Sequence, residues 1–161
     1  MIYTKCGDGG YSSVISCHNI PKDNSIFALL GDIDELGAAL GICKTKQCES
    51  IANKLNGLQH ELICLSSWIA GGKVFDAKSH TADFEVVIDT LENAVGLPDR
   101  IVVSGSTEES AYINFCRTVA RRCERSAVTF CSEYSFDNSL IVYLNRLADY
   151  LFVLGVYSEQ I

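Results

Sequence analysis

Apolar residues recur at helical spacing through most of this chain, and its only prolines, Pro21 and Pro98, fall outside the long periodic segments. Proline deletes a backbone donor and clashes with the preceding turn, so this placement favours long helices over many short strands. Ile26, Leu29, Leu30, Ile33, Leu36 and Leu40 mark a first amphipathic helix ending near Gly41. A second is predicted from about Gln47 to Ile69, with Ile51, Leu55, Leu58, Leu62 and Leu65 on one side and Gly71-Gly72 as its stop. A third runs from about Thr81 to Val95, before the breaker Gly96-Leu97-Pro98 and a short apolar run, Ile101-Val102-Val103. Ser104-Gly105-Ser106-Thr107 leads into a fourth helix, with Glu108 and Glu109 placed to complement its dipole, and a fifth starts near Asp137. The expectation is an all-α protein: one domain over residues 1–161, an up-down four-helix core plus one further helix. Residues 1–25 lack a helical period and are rich in Gly, Ser, Asp and Asn, so they read as an extended N-terminal arm.

Hydrophobic residues make up 48% of the chain and charged ones 20%, a globular balance. The apolar stretch from Leu140 to Val156 is broken by Asn145, Arg146 and Asp149, which marks a core helix instead of a membrane span. No charged start followed by an apolar segment precedes the first motif, so a cytoplasmic protein is expected. The eight cysteines form no CxxC pair and no Cys/His zinc spacing, which predicts reduced thiols; Cys116 and Cys123 are placed to act as small hydrophobes.

With a net charge of −7, the chain has no diffuse basic surface for nucleic acid. Arg117, Arg121 and Arg125 nevertheless lie one helical turn apart, with Glu124 among them, while Phe115, Val119, Cys123 and Phe130 are expected on the opposite face. Such charges are often ordinary helix-surface pairs, worth roughly 0.2–0.5 kcal/mol each. A second polar group favours a specific anion site: Asn145, Arg146 and Asp149 sit on a mostly buried helix and need partners. The first helix carries Asp32, Asp34 and Glu35, either as a solvated acidic face or, at Asp34, as a partner for Arg117, Arg121 or Arg125. In the arm, Thr4-Lys5-Cys6-Gly7-Asp8-Gly9-Gly10-Tyr11-Ser12-Ser13 combines glycines with donors and can cradle phosphates, though it lacks the Gly-Lys-Ser/Thr ending of a Walker loop. His18, His60 and His80 are scattered and read as surface or capping residues, so any chemistry here needs no protein general base.

Five motifs then occur in order: Tyr3-Thr4-Lys5-x-Gly7-Asp8; Pro21-Lys22-Asp23; Gly31-x-x-Asp34-Glu35-Leu36; Cys116-Arg117-Thr118-x-x-Arg121-Arg122-x-Glu124-Arg125; and Tyr143-Leu144-Asn145-Arg146-Leu147-x-Asp149-Tyr150-Leu151-Phe152. This ordered set resembles the ATP:cob(I)alamin adenosyltransferases of the propanediol-utilisation type. The resemblance implies a five-helix bundle assembled as a homotrimer with active sites between subunits. It implies transfer of the 5′-deoxyadenosyl group of ATP to the cobalt of cob(I)alamin, with Mg²⁺ and release of triphosphate. By that likeness Thr4, Lys5, Gly7, Asp8, Gly9, Ser12 and Lys22 wrap the triphosphate. Arg121, Glu124, Arg125 and Asn145 hold ATP, with Glu124 at the Mg²⁺, and Arg117 pairs with Asp34 across the subunit interface. A flavoprotein reductase and an adenosylcobalamin-dependent enzyme are the implied partners, with no membrane partner.

The chain departs from the family pattern where an aromatic residue usually helps exclude the lower ligand of the corrinoid. An ungapped match puts Ile101 there. Asn114 replaces a frequent histidine, Gly9 a lysine and Gly37 an asparagine. These departures leave a second reading open, a non-catalytic corrinoid- or ATP-binding carrier or sensor.

Overall fold

The computed structural model describes residues 3–96, 103 and 105–160. Two short strands, β1 (Tyr11–Ser12) and β2 (Ile20–Pro21), precede five helices: α1 (Ser25–Lys44), α2 (Glu49–Ile69), α3 (Ala77–Val95), α4 (Glu108–Tyr134) and α5 (Ser139–Ser158). The packing order is α2–α1–α4–α5–α3, so α4 lies between α1 and α5, and α3 packs mainly on α5 while His80 near its start also reaches Glu61 of α2. The predicted Ile101 site falls outside the described residues.

Burial explains that order. Leu29, Ile33, Leu36 and Leu40 of α1 and Leu55, Leu58, Leu62 and Leu65 of α2 repeat every three or four residues and are at most 3% exposed. Each such side chain contributes about 1.5–3 kcal/mol on burial. The buried stripe of α4 is small in the middle, Cys116, Ala120, Cys123 and Ala127, which lets α1 and α5 approach its backbone closely. The cysteines are therefore packing residues, as expected, and all eight are free thiols. Phe115 corrects its expectation: it is 51% exposed, because the buried stripe runs through Cys116, about 100° around the helix.

Caps set the helix starts. Thr107 and Ser110 form a capping box, Ser110 N–H donating to Thr107 Oγ1 at 3.1 Å and Thr107 N–H to Ser110 Oγ at 3.3 Å. Helix α3 begins earlier than Thr81 because Asp76 caps it, accepting from Ser79 N–H at 3.1 Å. Helix α5 is long and apolar enough to cross a bilayer, yet Leu140, Tyr143, Leu144, Leu147, Leu151 and Leu154 are buried against the other helices.

His80 also departs from expectation, since it joins a core cluster. Its ring stacks on Phe75 at 4.5 Å, and its Nδ1 lies 3.3 Å from Glu61 Oε2, the oxygen that accepts the buried Tyr143 hydroxyl at 3.1 Å. Burial, reinforced by the Glu61 carboxylate, holds the Tyr143 phenol well above its ordinary pKa, so it stays a donor.

The arm folds back as a hairpin with Tyr11 opposite Pro21 and Ser12 opposite Ile20, the latter buried as its anchor. Its tip docks on the end of α2, where Ser16 N–H donates to Ala70 O at 3.0 Å. Gly71, at φ +88°, leaves no room for a side chain there, since a Cβ would come within 2.3 Å of that of Ser16. Asn24 caps α1 and accepts from the Tyr134 hydroxyl at 2.8 Å, tying the arm's exit to the end of α4.

Candidate nucleotide and corrinoid site

Two faces of α4 carry arginine, and they are used differently. Arg122 faces α1. Its Nε donates to Asp32 Oδ1 at 3.0 Å, its Nη2 pairs with Glu35, and Ser126 Oγ donates to Asp32 Oδ2 at 2.5 Å. The guanidinium hydrogen bond holds the Glu35 carboxyl below its ordinary value, and the two carboxylates raise Arg122 above its own. This seam fixes the register of α1 on α4.

Arg117, Arg121 and Arg125 form the other face. Among the described residues, no carboxylate lies within ion-pair distance of any of them. They step about 6 Å along the axis per turn of four residues. Arg125 Nη1 donates to Arg121 O at 3.1 Å, and Arg117 Nε to Asn114 Oδ1 at 2.8 Å. Beside the row, half-buried Glu124 accepts from Asn145 Nδ2 of α5 at 3.1 Å, so the structure joins these two predicted residues. Arg146 turns the other way: it bonds Glu85 of α3 at 3.0 Å and Asp149 at 2.8 Å, one wall of a cleft of about 330 Å³.

Asp34 is paired with no arginine among the described residues of its own chain. Asp32 and Glu35 face α4, and Asp34 is rotated about 200° from the first and 100° from the second. It is exposed and lines a hollow of about 230 Å³ between α1 and α2, with Gly37, Gln59 and Ser66. Within one chain, of the two expectations for Asp34, the exposed acidic face is the one the structure shows. The missed Arg122 seam had a readable signal, two carboxylates three residues apart on α1.

The arm gathers the remaining predicted residues. Asp8 N–H donates to Lys5 O at 3.2 Å, Gly10 N–H to Gly7 O at 3.3 Å and Lys22 N–H to Gly10 O at 2.9 Å, closing a tight loop. Lys5 at φ 62° and Gly10 at φ 82° adopt the left-handed conformation that permits it. A Cβ on Gly7 would stand 2.9 Å from Lys22 Nζ, so the ammonium at the end of that flexible side chain lies directly over the loop. Cys6, Gly7, Tyr11, Ser12, His18 and Asn19 line an adjoining hollow of about 310 Å³; His18 was not anticipated there. Thr4, Lys5, Asp8 and Gly9 stand exposed around the same turn. No hydrogen bond or ion pair among the described residues joins the arm to the arginine row.

The arrangement suits a polyanion with a bound cation. Glu124 and the free carbonyl of Asn145 are hard oxygen donors, as Mg²⁺ requires. No cluster of three or more metal-ligating side chains occurs among the described residues, so further ligands would have to come from phosphate and water.

Comparison with known proteins agrees with this geometry. A family model described as cobalamin adenosyltransferase matches residues 2–158. Corrinoid adenosyltransferase MMAB of Bos taurus is 33% identical, the match covering 99% of this chain and 71% of the relative. Corrinoid adenosyltransferase PduO of Citrobacter freundii is 32% identical over 96% of this chain, which spans 48% of that protein. A variant PduO-type ATP:corrinoid adenosyltransferase from Lactobacillus reuteri, solved in complex with cobalamin and ATP, superposes with a TM-score of 0.93 at 26% identity. That match covers 99% of this chain and 91% of the other. The fold is thus that of a known architecture, and the chain belongs to the cobalamin adenosyltransferase family.

Proposed function

We propose that this protein transfers the 5′-deoxyadenosyl group of ATP to the cobalt of cob(I)alamin, forming adenosylcobalamin and triphosphate. The observation that carries the reading is the row of unpaired cations on α4, supported by the family membership. Cob(I)alamin brings its own electron pair. Cobalt attacks the ribose 5′ carbon, a cobalt–carbon bond forms, the C5′–O bond breaks, and its electrons leave with the triphosphate. The protein has no proton to remove, so positioning and electrostatics carry the catalysis.

In this reading Arg121 and Arg125 hold the phosphates and stabilise the charge gathered on the leaving group. Thr4, Lys5, Gly7, Asp8, Gly9, Ser12 and Lys22 close the arm over the same anion. Glu124, oriented by Asn145, is the candidate Mg²⁺ ligand; the metal would neutralise phosphate charge. Arg117 and Asp34, unpaired with each other in one chain, are proposed to meet across the interface of a homotrimer, completing each site from two subunits. Ile101 is assigned to the lower face of the corrinoid. A cytoplasmic location and a flavoprotein reductase as electron source complete the proposal.

An anaerobic assay with ATP, Mg²⁺ and chemically reduced cob(I)alamin tests it. Loss of cob(I)alamin absorbance matched one for one by triphosphate is expected. Binding of both substrates without conversion would instead establish the carrier or sensor reading.

A further inference from the structure

We infer that Asn114 is a positioning residue for Arg117, holding its guanidinium by Nε so that both terminal nitrogens and the full positive charge remain available outside the chain. The inference rests on the proposed pairing of Arg117 with a carboxylate of a second copy.

Asn114 and Arg117 lie three residues apart on α4, where side chains share a face. The amide oxygen of Asn114 accepts from Arg117 Nε at 2.8 Å, in a partly buried setting. A guanidinium can meet a carboxylate by its side edge, Nε with one Nη, or by its end, Nη1 with Nη2. The bond to Asn114 occupies the side edge, so the end is what Arg117 offers.

Arg122 shows the alternative on the same helix. Its Nε and one Nη are taken by Asp32 and Glu35, and its charge is satisfied inside the chain. A carboxylate at position 114 would do the same to Arg117. An amide acceptor orients the group without neutralising it. Asn114 also lines a shallow groove between α4 and α5 with Ser110, Leu151, Phe152, Gly155 and Glu159. Glu159, just after α5, shares that groove with Asn114, and Arg121 lies one turn along α4 from Arg117.

Three variants of the full chain test this with steady-state kinetics under anaerobic conditions. Asn114→Leu should lower kcat about tenfold, the loss expected when one hydrogen bond to a charged group is removed, with the KM for ATP within about twofold. Asn114→Asp should lower kcat as well, because the new carboxylate competes for the guanidinium. Asn114→His should add an acid limb that the wild type lacks: a neutral imidazole accepts from Nε, but one protonated below a pKa of about 6.5 cannot accept and repels the cation. Any limb owed to Glu159 appears in both proteins and cancels in the comparison. Wild-type kcat in Asn114→Leu, or parallel pH profiles for Asn114→His and the wild type, would overturn the inference. Arg117→Ala separates the two levels. If it abolishes turnover while Asn114→Leu does not, only the positioning role falls; if it too is silent, the pairing falls and the inference with it.

Discussion

Arg121 and Arg122 are adjacent residues of one helix, yet they belong to different parts of the protein's physics. Arg122 is enclosed by Asp32, Glu35 and Ser126 and serves the fold. Arg121, about 100° away, has no carboxylate partner among the described residues, which leaves its charge available for the proposed anion. A cluster of like residues is therefore not a unit of function. What each arginine does is decided by whether the neighbouring helix presents an acid to it.

The sharpest way to break that contrast is Arg121→Ala. Turnover should fall by at least about 100-fold, the scale set by removing one preorganised charge-stabilising group, while the thermal midpoint moves little. Unchanged kcat/KM would place the anion site elsewhere. Gly7→Ala probes the other half of the site. The added methyl group meets Lys22 Nζ, and the KM for ATP should rise by no more than about tenfold, the ceiling for displacing one charge-assisted contact, because the flexible side chain can give way.

Arg122→Met should show the reverse profile, a thermal midpoint lower by at most a few degrees with ATP affinity nearly kept, because solvent screens so exposed an ion pair. The smallest effect is the pH dependence of the same seam. Arg122 depresses the Glu35 carboxyl below its ordinary 4.5, so the stabilisation is complete above that value and is lost as pH falls through the depressed one. Acid-unfolding curves of wild type and Arg122→Met should therefore converge below pH 4.5.

Much of this was legible in the sequence, for reasons that differ by region. Helices α1, α2 and α5 announce themselves because their apolar stripes are long, although α1 runs past its predicted stop at Gly41 to Lys44, since a single glycine does not end a helix whose next turn buries Cys43. The start of α3 was placed late because a single capping side chain, Asp76, outweighs the weak apolar period around it. Phe115 was assigned to the wrong side because a stripe of small residues, Cys116, Ala120, Cys123 and Ala127, carries little hydrophobic signal although it is the true core face. In the site, the arginine spacing followed from helical geometry, and the need of Asn145 for a partner followed from its place on a buried helix; that the partner is Glu124 depends on how α4 packs on α5. Which of Asp32, Asp34 and Glu35 meets an arginine of its own chain depends on the rotation of α1 against α4, set by packing that no local pattern encodes. His80 was misread because its surroundings come from Phe75 and from Glu61 of α2, nineteen positions earlier in the chain.

The small residues along the buried side of α4 have a further consequence. With Ala120, Cys123 and Ala127 fully buried in its contact layer, that helix packs through small side chains, and its depth is gauged in single methyl groups. A well-packed layer of this kind does not absorb extra volume; it transmits it as a shift of the backbone. Ala120→Val would lift the outer charges away from their ligand without touching them, degrading alignment first and stability second. The interior of α4 is thus a shim, and the accuracy of the chemistry outside depends on how thin it stays.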